Sequence, residues 1–287
     1  MLFTVAVTWA GWAACPLAQA QELPPRYRPI GPDDYALTLM GFVGAGMVAL
    51  ALPVRASQSN WDRPILFDGP VRDLTLGDTT ASRARYDAVS NVTLYSSVAW
   101  VAFDALGYSW ALRRRPELAR ELAWIDAESY AVTLLATNLT KRLVQRRRPY
   151  ATRCDDDAAY NDKCGSADQN VSFFSGHSSI SATSAGLLCF QHQAFRLYGG
   201  GAPDALACAG GVGLMAATGL LRIASDNHWA SDVAVGYLVG FASGYGLPWL
   251  LRSQGTPRAE SRSGGFHVRL LPLADDTRIS LLAIGAF

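Results

Sequence analysis

At 287 residues and a formal net charge of +1, the chain suits one large domain with short appendages and offers nucleic acid no global attraction. Half of its residues are hydrophobic and 17% are charged, which is apolar for a soluble enzyme but too charged for a pure membrane channel. Any preference for an anion must come from local clustering of basic side chains.

Met1 to Ala20 is apolar and closes on Ala18-Gln19-Ala20, the small-x-small pattern of a cleavable export signal. No Lys or Arg stands near its start, and a first transmembrane helix is the alternative reading. Lipoprotein processing at Ala13-Ala14-Cys15 is a minor one. Past Pro24, Pro25, Pro29 and Pro32, the uncharged stretch 35–54 is long enough to cross a bilayer. Residues 55–85 are polar and turn-forming, and apolar helices are expected over 86–107, 123–147, 178–198, 205–223 and 230–251. The expected fold is all-α, a bundle of about six core helices within a domain over 35–252. A linker over 253–265 and a short carboxyl-terminal β-hairpin over 266–287 follow, the latter from the alternation of Phe266, Val268 and Leu270 with His267 and Arg269.

Asp87, Asn91, Asp104, Asp126, Glu128 and Asn138 interrupt these helices. They are costly in lipid unless they face the bundle interior, and a soluble bundle hides the same pattern. Cys154 and Cys164 flank a polar loop and form a disulfide candidate in an oxidising compartment. Cys189 and Cys208 lie in apolar stretches and read as small buried hydrophobes. No Cys-x-x-Cys or Cys/His pair supports a metal, so none is expected.

Three clusters carry chemistry. Lys141 and Arg148 stand seven apart, about two helical turns, ahead of Pro149, and two cations at a helix exit suit a cluster of anionic oxygens. Arg142, Arg146 and Arg147 between them read as solvated or headgroup-facing charges. Ser175, Gly176 and His177 open a helix, where backbone amides and a titratable imidazole face an anion. His228 and Asp232 stand four apart on one expected helical face, where a carboxylate bonded to one ring nitrogen frees the other to attack. Arg222 adds a third cation upstream. Phosphoryl transfer needs this combination of cations, nucleophile and acid.

In order and internal spacing, Lys141 to Pro149, Phe174-Ser175-Gly176-His177, and Leu221-Arg222 through His228 to Asp232 resemble the tripartite motif of the type 2 phosphatidic acid phosphatase / vanadium haloperoxidase superfamily. The resemblance spans about residues 35–251, with Phe174 in place of the motif's proline and Leu221 in place of its serine. It implies a metal-independent, cofactor-free phosphatase working through phosphohistidine. His228 would attack phosphorus and Asp232 would orient it. His177 would protonate the leaving alcohol and then activate water, while Lys141, Arg148, Arg222, Ser175 and the Gly176 amide would hold the phosphate oxygens. A lipid phosphate or small phosphoester is the expected partner, at the inner membrane with a periplasm-facing site. A soluble periplasmic acid phosphatase is the alternative; a vanadate-loaded haloperoxidase and a non-catalytic envelope protein are less favoured. If the signal is cleaved and 35–54 spans, counting the helices puts Lys141 in the cytoplasm. An amino terminus kept inside reverses this and makes Arg113-Arg114-Arg115 an inside loop.

Overall fold

The computed structural model describes residues 27–54 and 59–253, together with the backbone alone of 267–275 and 278–286. The expected export signal over 1–20 and the linker over 253–265 lie almost wholly outside the described residues. The side chains of the expected hairpin do so as well, and the hairpin stays an expectation.

The described core is all-helical. Six long segments carry it: α1 (Pro32–Ala51), α3 (Thr80–Ala102), α4 (Pro116–Val144), α6 (Gly176–Phe195), α7 (Ala202–Ala224) and α8 (Ala230–Phe241). Wider π turns extend α3 over Phe103–Leu112 and join α8 to the short α9 (Leu247–Arg252). Two short helices, α2 (Asp68–Thr75) and α5 (Ala151–Cys154), complete the set. α2 falls inside 55–85, where only turns are expected. Its eight residues bury little beyond Asp68, too few to give a readable helical period.

Local signals fix the ends. Pro32 and Pro116 open α1 and α4, where their missing N–H costs no bond. Thr79 caps α3 by accepting from the Ser82 amide at 3.1 Å, and Ser175 caps α6 by accepting from the Ser178 amide at 3.3 Å.

Long helices consecutive in the chain alternate in direction, which leaves several packed pairs parallel. Tyr35 packs against Trp124, Gly41 sits on Ala131, and Arg142 donates to the Leu52 carbonyl, so α1 runs parallel to α4. Arg28 N donates to the Arg252 carbonyl at 3.0 Å, which puts the entry to α1 and the end of α9 together. The exits of α1, α4 and α7 and the starts of α3, α6 and α8 therefore share one end. That end holds the site.

Hydroxyl pairs bind α4 to α6: Thr137 with Ser179 at 3.1 Å, Thr133 with Thr183 at 2.8 Å, and Tyr130 with Ser184 at 2.8 Å. Such interhelical bonds average about 0.6 kcal/mol each inside membranes, so they set register more than they set stability. On the other side, α8 lays glycines on the α6 backbone. A Cβ at Gly236 would come within 2.9 Å of the Ser175 carbonyl, and one at Gly240 would overlap that of Ser179.

The polar interruptions all turn inward. Asp104 binds His192 and Tyr198, Asp126 accepts from Gln191, and Glu128 accepts from Arg252. Outward faces are apolar instead: Leu39, Val43, Met47 and Leu50 of α1, Val92 and Tyr95 of α3, Leu206 and Leu220 of α7, and Leu238 of α8 are exposed. α1, α7 and the 230–252 segment are long and apolar enough to cross a membrane.

Both cysteine pairs are bridged. Cys154 and Cys164 close their loop with Cα atoms 5.6 Å apart. The reading of Cys189 and Cys208 as separate buried hydrophobes is corrected, because they form a second disulfide between α6 and α7. A Cβ on Gly211 would meet Leu188 and the Ala185 backbone, and this close approach brings the two Cα atoms to 4.3 Å.

Candidate active site

The three motif segments meet at the shared end of the bundle. α4 stops at Val144, three residues short of its expected end, because Gln145 takes a left-handed conformation (φ 44°). Lys141 thus lies in the last helical turn, donating to the Val171 carbonyl, while Arg148 returns to the site on extended chain. The two cations converge through this bend rather than along one helical face.

Arg148 is buried, with its Nε and Nη1 bonded. Its Nε donates to the Asp168 carbonyl at 2.8 Å and its Nη1 to the Asn227 carbonyl at 3.0 Å. The same Nη1 stands 3.2 Å from His228 Nε2. Arginine only donates, so Nε2 carries a lone pair and the His228 proton sits on Nδ1. Nδ1 is 3.6 Å from Asp232 Oδ2, an ion-pair distance longer than a hydrogen bond. His228 precedes α8 rather than standing on it, which explains why the expected carboxylate–imidazole bond is loose.

The turn that presents His228 is pinned from several sides. The amides of Asn227 and His228 both donate to the Arg222 carbonyl at 3.2 Å. Asp226, left-handed at φ 62°, is gripped by Arg72 through two bonds of 2.6 and 2.7 Å and by Tyr160 OH at 3.0 Å. Arg222 is buried against Asp87 of α3, which also accepts from Asn227 Nδ2 at 3.0 Å. Three buried polar atoms here have no hydrogen-bond partner: Arg222 Nε, Asn227 Oδ1 and His228 Nδ1. Buried polar atoms are rarely left so, and these three lie where the motif segments meet.

His177, half-buried in the first turn of α6, faces Asn91 Oδ1 through Nε2 at 2.7 Å. Burial, then the charges of Arg222, Arg148 and Lys141, hold its imidazole down to about 3. The same causes, with Arg148 the nearest charge, push His228 well below its ordinary value. Burial first, and the surrounding cations second, thus favour the neutral form of both rings. Ser175 is fully buried, and its hydroxyl also takes a bond from Ser178 Oγ at 2.9 Å. Gly176 is half-buried; a Cβ there would lie 3.7 Å from Lys141 Cε.

Residues 122–255 match the family model of the PAP2 superfamily. The match agrees with the resemblance carried by the three motif segments. The PAP2 match takes in all three motif segments and the helices α6 to α9; α1 to α3 lie before it. PAP2 members are phosphatases and phosphoesterases, which supports a hydrolase of that broad kind. No curated protein and no solved structure matches it.

Several site residues are not evident from the PAP2 motif. From α3, Asn91 reaches His177 and Asp87 reaches Arg222 and Asn227. Lys163, on the disulfide-closed loop, adds to the positive charge on His177 and lines a cavity of about 330 Å³ with Asp87, Tyr160 and Asn227. The largest correction concerns Arg146, read as solvated. It is fully buried, with Nη1 2.5 Å from Asp232 and Nη2 2.6 Å from Asp68. Arg147 bonds Asp155 at 2.8 Å and Arg142 reaches the Leu52 carbonyl, so neither is merely solvated.

Proposed function

We propose that this chain hydrolyses a phosphate monoester or pyrophosphate, foremost a lipid phosphate, through a phosphohistidine intermediate and without a metal. The observation that carries the reading is the 3.2 Å approach of Arg148 Nη1 to the lone pair of His228 Nε2. A phosphoryl group drawn in by that guanidinium arrives at the nitrogen able to attack it.

In the proposed reaction, Lys141, Arg148, Arg222, the Ser175 hydroxyl and the Gly176 amide take the phosphate oxygens. His228 Nε2 bonds to phosphorus as the P–O bond to the alcohol breaks. Charge on His228 is balanced by Asp232 through the Nδ1 proton. His177 gives its proton to the leaving oxygen, then takes one from the water that releases inorganic phosphate. The substrate's own negative charge offsets the cations that, with burial, hold the His177 imidazole down, so protonation accompanies binding.

Exposed apolar faces on α1, α3, α7 and α8 support a membrane-embedded enzyme. The amino-terminal entry, the carboxyl end of α9 and Arg113–Arg115 gather at the end opposite the site. With that basic loop inside, the site faces the periplasm and 35–54 is the first outward span. A soluble exported phosphatase remains the second reading. It is favoured by the Cys189–Cys208 disulfide, which lies near the far end, where an inner-membrane protein would meet a reducing cytoplasm.

The test joins fractionation with activity on p-nitrophenyl phosphate, a lipid phosphate, and bromide plus peroxide. Lipid-phosphate turnover in the membrane fraction, lost in His228→Ala, is expected. Full activity in His228→Ala would remove the nucleophile from the scheme.

A further inference from the structure

Asp232 is the residue through which the proposed scheme orients His228, yet its own placement depends on groups outside the motif roles. Three donors converge on it: Arg146 Nη1 on Oδ1 at 2.5 Å, and Ser172 Oγ at 2.5 Å with the Trp229 amide at 3.0 Å on Oδ2. Arg146 itself is locked. Its other nitrogen binds Asp68 at 2.6 Å, its guanidinium lies 3.8 Å from the centre of the Trp61 ring, and Ser231 Oγ accepts from Nη1 at 2.8 Å. Asp68 in turn holds the first turn of α8 through the Ser231 amide at 2.8 Å. The Arg146 carbonyl accepts from the Ser172 amide at 2.9 Å, so the residue that binds one carboxylate oxygen also seats the serine that binds the other.

Burying a guanidinium and two carboxylates is expensive, and replacing such a group by apolar packing is often neutral or favourable for stability. Stability alone therefore does not account for the arrangement. Its geometry does: one planar fork spans two carboxylates, so Arg146 fixes the Asp232 rotamer without neutralising it, and Asp68 returns the negative charge that the fork withdraws. We propose that Arg146 and Asp68 are positioning residues that aim the Asp232 carboxylate at His228 Nδ1. The inference rests on the reading of His228 as nucleophile.

The test measures kcat, KM and inhibition by inorganic phosphate for Asp68→Asn, Arg146→Lys and Arg146→Gln in the full-length protein, beside His228→Ala. Outer-shell partners in metal centres are worth about 10- to 100-fold, and a similar loss in kcat is expected for Asp68→Asn and Arg146→Gln. KM and the phosphate inhibition constant should stay within about threefold, because Lys141, Arg148 and Arg222 are untouched. Arg146→Lys keeps the charge but not the fork, and should recover part of the lost kcat. Wild-type kcat in Asp68→Asn and Arg146→Gln overturns the proposal. So does a loss of phosphate affinity matching the loss of kcat, or failure of all three variants to fold, since each assigns the pair a scaffolding role. If His228→Ala keeps activity, the nucleophile reading fails instead, and the two failures are told apart.

Discussion

Two buried histidines at opposite ends of the bundle make a natural comparison. His192, in the last turns of α6, has both ring nitrogens bonded, Nδ1 to Asp204 at 2.5 Å and Nε2 to Asp104 at 3.2 Å. Burial alone would lower it, but the two carboxylates outweigh burial and leave it raised. His228 meets the opposite surroundings, with cations on its open side, a carboxylate beyond hydrogen-bond reach, and one ring nitrogen unpartnered. One imidazole is a charge-balanced clasp; the other stands in a pocket whose balance is incomplete until an anion arrives. Burial alone does not distinguish function, whereas the sign of the surrounding charge does.

Three changes would break or sharpen this contrast. The largest effect is expected at Arg148→Lys, which keeps a cation but loses the fork beside Nε2. kcat/KM should fall about 10²- to 10³-fold, as when one transition-state donor is removed. Steady-state assays on p-nitrophenyl phosphate check this, and a change under threefold would remove Arg148 from the phosphate site. At the other end, His192→Leu leaves Asp104 and Asp204 facing each other across an apolar side chain. Breaking such a pair should cost about 3 kcal/mol, seen as a lower Tm, with kcat per folded molecule unchanged. A loss of kcat with Tm preserved would refute the clasp. The smallest effect concerns proton uptake. The pKa of His177 is held down to about 3, so the ring is neutral near pH 7, and a bound dianion raises it. Anion binding therefore takes up a proton and strengthens as pH falls. Sulfate does not itself titrate in this range, and it should inhibit about tenfold more tightly at pH 5.5 than at pH 8. A pH-independent sulfate constant would detach His177 from the anion.

The helices and the three motif segments were legible because apolar periodicity and residue spacing are local properties. Lys141, Arg148, Ser175, Gly176, His177, Arg222, His228 and Asp232 all come to one end, as their helix-boundary positions imply, although the helical spacing expected of Lys141 with Arg148 and of His228 with Asp232 does not hold. What the chain did not reveal locally depends on contacts across distance. Arg146 lies among five cations in ten residues, and nothing nearby in sequence marks it as the one that meets Asp68 and Asp232. Asp68 belongs to a helix too short to show a period. Cys189 and Cys208 have no spacing motif, because their bridge depends on the closeness of α6 and α7 at Gly211. Asn91 and Asp87 were visible as polar interruptions in an apolar helix, a signal that named the inward face but not the partner.

With Gly236 and Gly240 pressed on the main chain of α6, the separation of the two site imidazoles is governed by backbone against backbone. The spacing across the proposed site is thus set where α6 and α8 meet main chain to main chain, away from the exposed apolar faces of α1.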